Sequence, residues 1–201
     1  MIFPGSGFPI MSKQPQNLTS LLSASPVIAA VRKPADLTEA CASAASVLFI
    51  LHAEIGTLAD AVQTAKHAGK CVFVHFDLID GLSQDPAALR FIKQTTETDG
   101  IISTRSSVIR SAKEEGFFTV QRFFVVDSQA EETVLRTVPS THPDLAELMP
   151  GLILPVIRRI TKEISVPVIA GGLIEDKTGI LQLLSAGAAG ISTGKKELWN
   201  V

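Results

Sequence analysis

Eight short apolar runs, each followed by a stretch with helical periodicity, constrain this chain more than any other feature. They are PVIAAV (26–31), SVLFIL (46–51), CVFVHFDLI (71–79), GIISTR (100–105), FTVQRFFVV (118–126), LAELMPG (145–151), VPVIAGGLI (166–174) and a last one within GAAGISTGKKELW (187–199). A strand with one wet face alternates apolar and polar residues. One that is apolar throughout is buried on both faces, as in a parallel sheet covered by helices. The intervening segments supply those helices: Ile55, Leu58, Ala59, Val62 and Ala65 recur at helical spacing before Gly69, and Asp85-Pro86 opens another helix. Leu152 to Ile164 carries Arg158, Arg159 and Lys162 on its polar side. Eight β/α units predict a small (β/α)8 barrel of the TIM type with short loops. A doubly wound open sheet is the alternative that shares the alternation.

The 201 residues suffice for one well-buried core. Residues 17–201 read as a single barrel domain, with a short helix over Asn17–Leu22, and residues 1–16 as an irregular lead. Met11 competes with Met1 as the start, because residues 1–10 show no periodicity. The lead lacks the basic region and continuous apolar stretch of a secretory signal, and no apolar run approaches the roughly 18 residues of a membrane span. A cytoplasmic protein without membrane contact is expected. Cys41 and Cys71 lack metal spacing and read as buried reduced thiols. The formal charge of −2 gives no broad basic field, so a nucleic-acid partner needs a local patch.

In a barrel, residues at the C-terminal ends of the strands converge on one mouth. Here they are Arg32, His52, Glu54, His75, Asp77, Ser103 to Arg105, Gln121, Arg122, Glu147, Gly171, Gly172, Ser192, Thr193 and Gly194. The last two segments read as paired phosphate cradles. Glycine lets an anion reach backbone amides, and Lys195 to Trp199 reads as a helix whose positive end favours it. Loops after strands seven and eight, with a short final helix, form the usual phosphate site of such barrels. His75 and Asp77, two apart, are expected to point the same way above Phe73. A carboxylate at that depth calls for a cation, a metal or a ligand hydroxyl, with an ion pair to Arg105 as the structural alternative. His75 suits a core imidazole as well as a ligand contact. The His-x-Glu (52–54) and His-x-Asp (75–77) pairs are weak as a metal pattern, and no metal site is expected. The strand ends offer no lysine for a Schiff base and no cysteine, and the chain has no G-x-S-x-G turn, so no catalytic residue is assigned.

Six segments together, VHFDLIDGL (74–82), DGIISTRSSVI (99–109), FFTVQRFFVVDS (117–128), ELMPG (147–151), PVIAGGLI (167–174) and GAAGISTGKKELW (187–199), resemble the glycerol-3-phosphate-responsive antiterminators, over roughly Pro26 to Trp199. That resemblance implies a (β/α)8 barrel without a cofactor. It would bind glycerol 3-phosphate as effector and, so loaded, a leader mRNA, letting polymerase pass a terminator. It places phosphate at Gly171, Gly172, Thr193 and Gly194, beside Ser192, and sets Asp77 to accept glycerol hydroxyls. His75, Arg105 and Glu147 complete the candidate ligand set. The first ten residues and the triplet His52-Ala53-Glu54 depart from the family pattern.

The RNA-contacting residues are not assigned; basic candidates are Arg105, Arg110, Lys113, Arg122, Arg158, Arg159, Lys195 and Lys196. A homodimer would suit a symmetric regulator. The competing reading is an isomerase, lyase or phosphodiesterase acting on a small phosphorylated polyol or sugar, with Asp77, His75 or Glu147 in acid and base roles. Against it, AAVRKP lacks the His-Arg-Gly start of glycerophosphodiesterases, and FDLID lacks the lysine of the decarboxylases' Asp-x-Lys core. Valine at Gly172 or Thr193 is expected to remove ligand binding with little loss of folding.

Overall fold

A computed structural model describes residues 15–201. Most of the expected irregular lead, and the choice between Met1 and Met11, lie outside the described residues. Eight parallel strands form a closed barrel: β1 (Val27–Val31), β2 (Val47–Ile50), β3 (Cys71–His75), β4 (Gly100–Ser103), β5 (Phe118–Phe124), β6 (Leu145–Met149), β7 (Val168–Gly171) and β8 (Gly190–Thr193). Each pairs with its neighbours in chain order, and β8 returns to β1 with Ser192 opposite Ile28. This closure excludes the open sheet.

The helices are α1 (Pro15–Ala24), α2 (Leu37–Ala42), α3 (Ile55–His67), α4 (Pro86–Thr95), α5 (Ser106–Glu114), α6 (Ser128–Thr141), α7 (Leu154–Glu163) and α8 (Lys177–Ser185). Three of them, α4, α6 and α8, start on aspartates (Asp85, Asp127 and Asp176) whose side chains accept an amide of the first turn.

Strand parity divides the core into two layers. Ile28, Phe49, Phe73, Ile102, Val120, Leu145 and Ile169 point inward and fill the barrel, and Leu18 and Leu22 of α1 pack with them from below. The helix at the start of the described chain is therefore the barrel's floor, a role its polar flanks do not announce. It begins at Pro15, ahead of the expected Asn17. Leu48, Val72, Ile101, Ala146 and Val168 point outward and join the helices in the second layer.

Two expected elements differ. The third strand was expected to run to Ile79 but stops at His75, and Phe76–Leu78 form one 3-10 turn. Phe76 turns outward into the helix layer, while Asp77 is drawn sideways to β4. The expected final helix is a single 3-10 turn, Lys196–Leu198.

Candidate functional site

At the mouth, β7 ends on a glycine that has no room for a side chain. A Cβ on Gly171 would lie 2.5 Å from Ser192 Oγ and 2.8 Å from Glu147 Oε1. Gly172 has φ +79 and Leu173 φ +58, so the chain turns out of the strand through two left-handed residues. Only glycine takes that conformation without cost. Among the described residues no carbonyl accepts from the amides of Gly172, Leu173 or Gly194. These three amides, at adjacent strand ends, are left without a backbone acceptor, and successive free amides are the kind of group that can bind an anion. Thr193 supports the β8 end from behind: its Oγ1 accepts the Lys195 amide at 3.1 Å, and its carbonyl accepts Trp199 Nε1 at 2.8 Å. With only one 3-10 turn following, a helix dipole would contribute less to anion binding here than expected from the sequence.

The two lysines after β8 hold loops together. Lys195 Nζ donates to the Glu175 carbonyl at 2.7 Å and to its carboxylate at 3.1 Å, and Lys196 Nζ reaches Asp36 at 2.5 Å and Glu39 at 3.0 Å.

Below the glycines lies a buried polar network. Arg122 and Glu147 face each other in register across β5 and β6, with Arg122 Nε 2.6 Å from Glu147 Oε2. Ser192 donates to the other oxygen at 2.5 Å. Glu147 is wholly buried and Arg122 6% exposed. A buried ion pair repays its desolvation only with this degree of hydrogen bonding. His75, at the inward end of β3, is buried too, and its Nδ1 has no partner. Burial, reinforced by the Arg122 charge and opposed by Asp77, lowers its pKa to about 4. The imidazole is therefore neutral at ordinary pH and can pair with a ligand hydroxyl.

Asp77 sits on the rim, apart from this network. Its carboxylate accepts from Ser103 Oγ (2.7 Å), the Thr104 amide (2.8 Å), Thr104 Oγ1 (3.0 Å) and the Arg105 guanidinium (2.9 Å). Burial raises its pKa, but the donors from Thr104, Arg105 and Ser103 outweigh that and hold it below the ordinary carboxylate range. The expectation that Asp77 shares a strand face with His75 is thus corrected: the strand has ended, and Asp77 ties the β3 end to the start of α5. Gln121 also leaves the mouth set. It faces outward, donating to Ser106 and accepting from Thr141. His52 pairs on the surface with Asp80 at 3.1 Å, and no group of three or more metal-ligating side chains that could hold an ion occurs among the described residues.

With this geometry in view, the comparisons with known proteins are decisive. The model of the glycerol-3-phosphate responsive antiterminator family matches residues 27–199. The chain belongs to that family. An uncharacterized protein of Escherichia coli K12, YgcP, is 38% identical over 184 residues, covering 92% of this chain and 96% of its own. The crystal structure of a Listeria monocytogenes glycerol uptake operon antiterminator regulatory protein superposes with TM-score 0.83 at 33% identity, covering 87% of this chain and 95% of that one. A glycerol uptake operon antiterminator-related protein of Thermotoga maritima gives TM-score 0.77 at 32% identity, covering 86% and 96%.

In this antiterminator-family barrel the sequence marked the eight strands but not where the third one ends, nor how the polar residues divide. Arg122 entered the mouth set without a role. Its inward parity on β5, opposite Glu147, was the signal that would have paired them. His75 supplies a test. Unfolded, its imidazole protonates near 6.5; folded, near 4. Between these values the unfolded chain binds more protons, so stability falls as pH drops through that window and levels off below it, by about 3 kcal/mol in all. Denaturant titrations of wild type and His75→Gln from pH 7 to 4 should show this slope in the wild type and its loss in the variant. Equal slopes would remove the neutral buried imidazole from the account.

Proposed function

We propose that this chain is a glycerol 3-phosphate sensor that binds a leader mRNA and relieves transcription termination in genes of glycerol uptake and metabolism. Family membership supports the regulatory part, and the site supports the ligand. The observation that carries it is the stacking of two features: unclaimed amides at Gly172, Leu173 and Gly194 lie above the buried polar network of Glu147, Arg122 and Ser192, with His75 beside it. A phosphate held at the amides would direct a short polyol chain down toward those side chains. Charge-assisted bonds to phosphate give the affinity, and the buried groups give selectivity, because a ligand lacking the hydroxyls leaves them unpaired. Asp77 and Arg105 then hold the β4–α5 rim in place from the side.

Sensing without turnover fits the same geometry. Both Glu147 oxygens already have partners, and the lysines after β8 are spent on loop carboxylates. Calorimetric titration with glycerol 3-phosphate, followed by phosphorus NMR of the mixture, tests this reading. Saturable binding with the ligand recovered unchanged is expected. Release of phosphate or conversion to another phosphorylated compound would establish the enzymatic alternative instead.

A further inference from the structure

We infer that the outward face of α7, centred on Arg158 and Lys162, is the surface that grips the backbone of the RNA. This rests on the reading of the chain as an RNA-binding regulator and says where that RNA lies.

Arg105, Arg122, Arg159, Lys195 and Lys196 each lie within ion-pair distance of a carboxylate, and Lys113 donates to the His142 carbonyl. Of the candidates named from the sequence, Arg110 and Arg158 alone have no such partner among the described residues. Arg110 has Glu114 one helical turn on, so its face is balanced. Arg158 has Lys162 one turn on, equally exposed and likewise unpartnered. Like charges at this spacing repel and destabilise a helix. Glu163 beside them in the same surface patch is one negative charge against these two, and an external polyanion would offset the rest.

These two cations line a surface groove of about 580 Å³ together with Leu154, Pro155, Arg159 and Glu163. It is apolar at Leu154 and Pro155, in the first turn of α7, and cationic at Arg158 and Lys162, while Arg159 beside them is paired with Glu131 of α6. Backbone phosphates fit the cations, while sugars or unstacked bases fit Leu154 and Pro155. Glu163, at the last residue of the helix, marks the far end.

The Gly151 amide donates to the carbonyls of Gly171 (2.7 Å) and Gly172 (3.2 Å), the residues of the phosphate cradle, and α7 begins three residues later. A second cavity of about 230 Å³ lies between residues 151–154 and 174–183, giving the first turn of α7 room to shift. An anion settling on the Gly172 amide therefore acts on the peptide from which the groove helix hangs. The coupling element and the RNA surface are one helix.

The test compares R158Q/K162Q with R90Q/R110Q, which removes the same charge from α4 and α5 across the barrel. The probe is the 5′ leader transcript of the host's glycerol-uptake operon, titrated over a salt series with saturating glycerol 3-phosphate. R158Q/K162Q should make the slope of log affinity against log salt shallower by about 1.4, at about 0.7 for each lost single-strand phosphate contact. R90Q/R110Q should leave the slope as in wild type, and both variants should bind glycerol 3-phosphate within about twofold of wild type, a change of under ~0.5 kcal/mol. Wild-type RNA binding with an unchanged slope in R158Q/K162Q would overturn the assignment while leaving the regulator reading intact. So would a change in oligomeric state in place of RNA affinity, since the face would then join copies of the chain. Absence of RNA binding by the wild type would remove both.

Discussion

Glu147→Ala is expected to destabilise the fold by about 3–5 kcal/mol, the usual consequence of leaving a buried charge without its partner. Arg122 is held by that carboxylate at 2.6 Å inside the barrel, and Ser192 loses its acceptor in the same step. Glu147→Gln keeps one acceptor, for Arg122, while its NH2 group can donate to Ser192 Oγ once that hydroxyl turns round, and it should cost less, about 1–3 kcal/mol. The informative variant is the double replacement Arg122→Met with Glu147→Leu. Apolar residues of similar volume commonly match or exceed the stability of a buried ion pair. Urea denaturation should therefore show the double variant recovering most of the loss, while calorimetry shows it unable to bind glycerol 3-phosphate. Recovery of both stability and binding would mean that the pair plays no part in the ligand pocket.

Gly172→Val should weaken glycerol 3-phosphate binding by at least about 30-fold, roughly 2 kcal/mol, the scale of one charge-assisted hydrogen bond. The side chain enters at φ +79, where its Cβ meets Met149 Cε at 2.9 Å, so the turn that aims the amides cannot be kept. The sequence alone suggested that folding would be spared. The left-handed backbone revises this to a cost of about 1–3 kcal/mol. Thr193→Val is milder than expected from the sequence, because the hydroxyl faces the Lys195 amide rather than the pocket. A loss of about three- to tenfold, near 1 kcal/mol, is expected as the Gly194 loop loosens. Isothermal titration of both variants measures these effects. Wild-type affinity in Gly172→Val would take the phosphate away from this turn.

The barrel was legible because fully buried strands have a plain signature, and eight of them leave few architectures. Closure was not legible: periodicity carries no information on whether β8 meets β1, and the Ser192–Ile28 register supplied it. The turn at Gly171 and Gly172 could be read because glycine at a strand end has a backbone meaning independent of its neighbours. The polyol end was harder. Asp77 looked like an interior carboxylate only while β3 was taken to continue past His75; the Phe76–Leu78 turn moved it to the rim. Arg122 and Glu147 lie 25 residues apart, and only strand register brings them together. The helix α1 was expected but its place as the floor was not, because two leucines a turn apart, Leu18 and Leu22, gain meaning only from the open barrel end they cover.

The central claim is that one ligand, held at Gly172 and Gly194 over the Arg122–Glu147 pocket, changes the protein's affinity for RNA. A ligand shifts such an equilibrium only through differential affinity for its two states, and the effect must be reciprocal. The direct measurement is the affinity for the leader transcript at one fixed salt concentration, with and without saturating glycerol 3-phosphate. The account predicts RNA binding tighter by about 5- to 150-fold with the ligand, with the ligand's own affinity raised by the same factor when RNA is present. Equal RNA affinity in both conditions would contradict it.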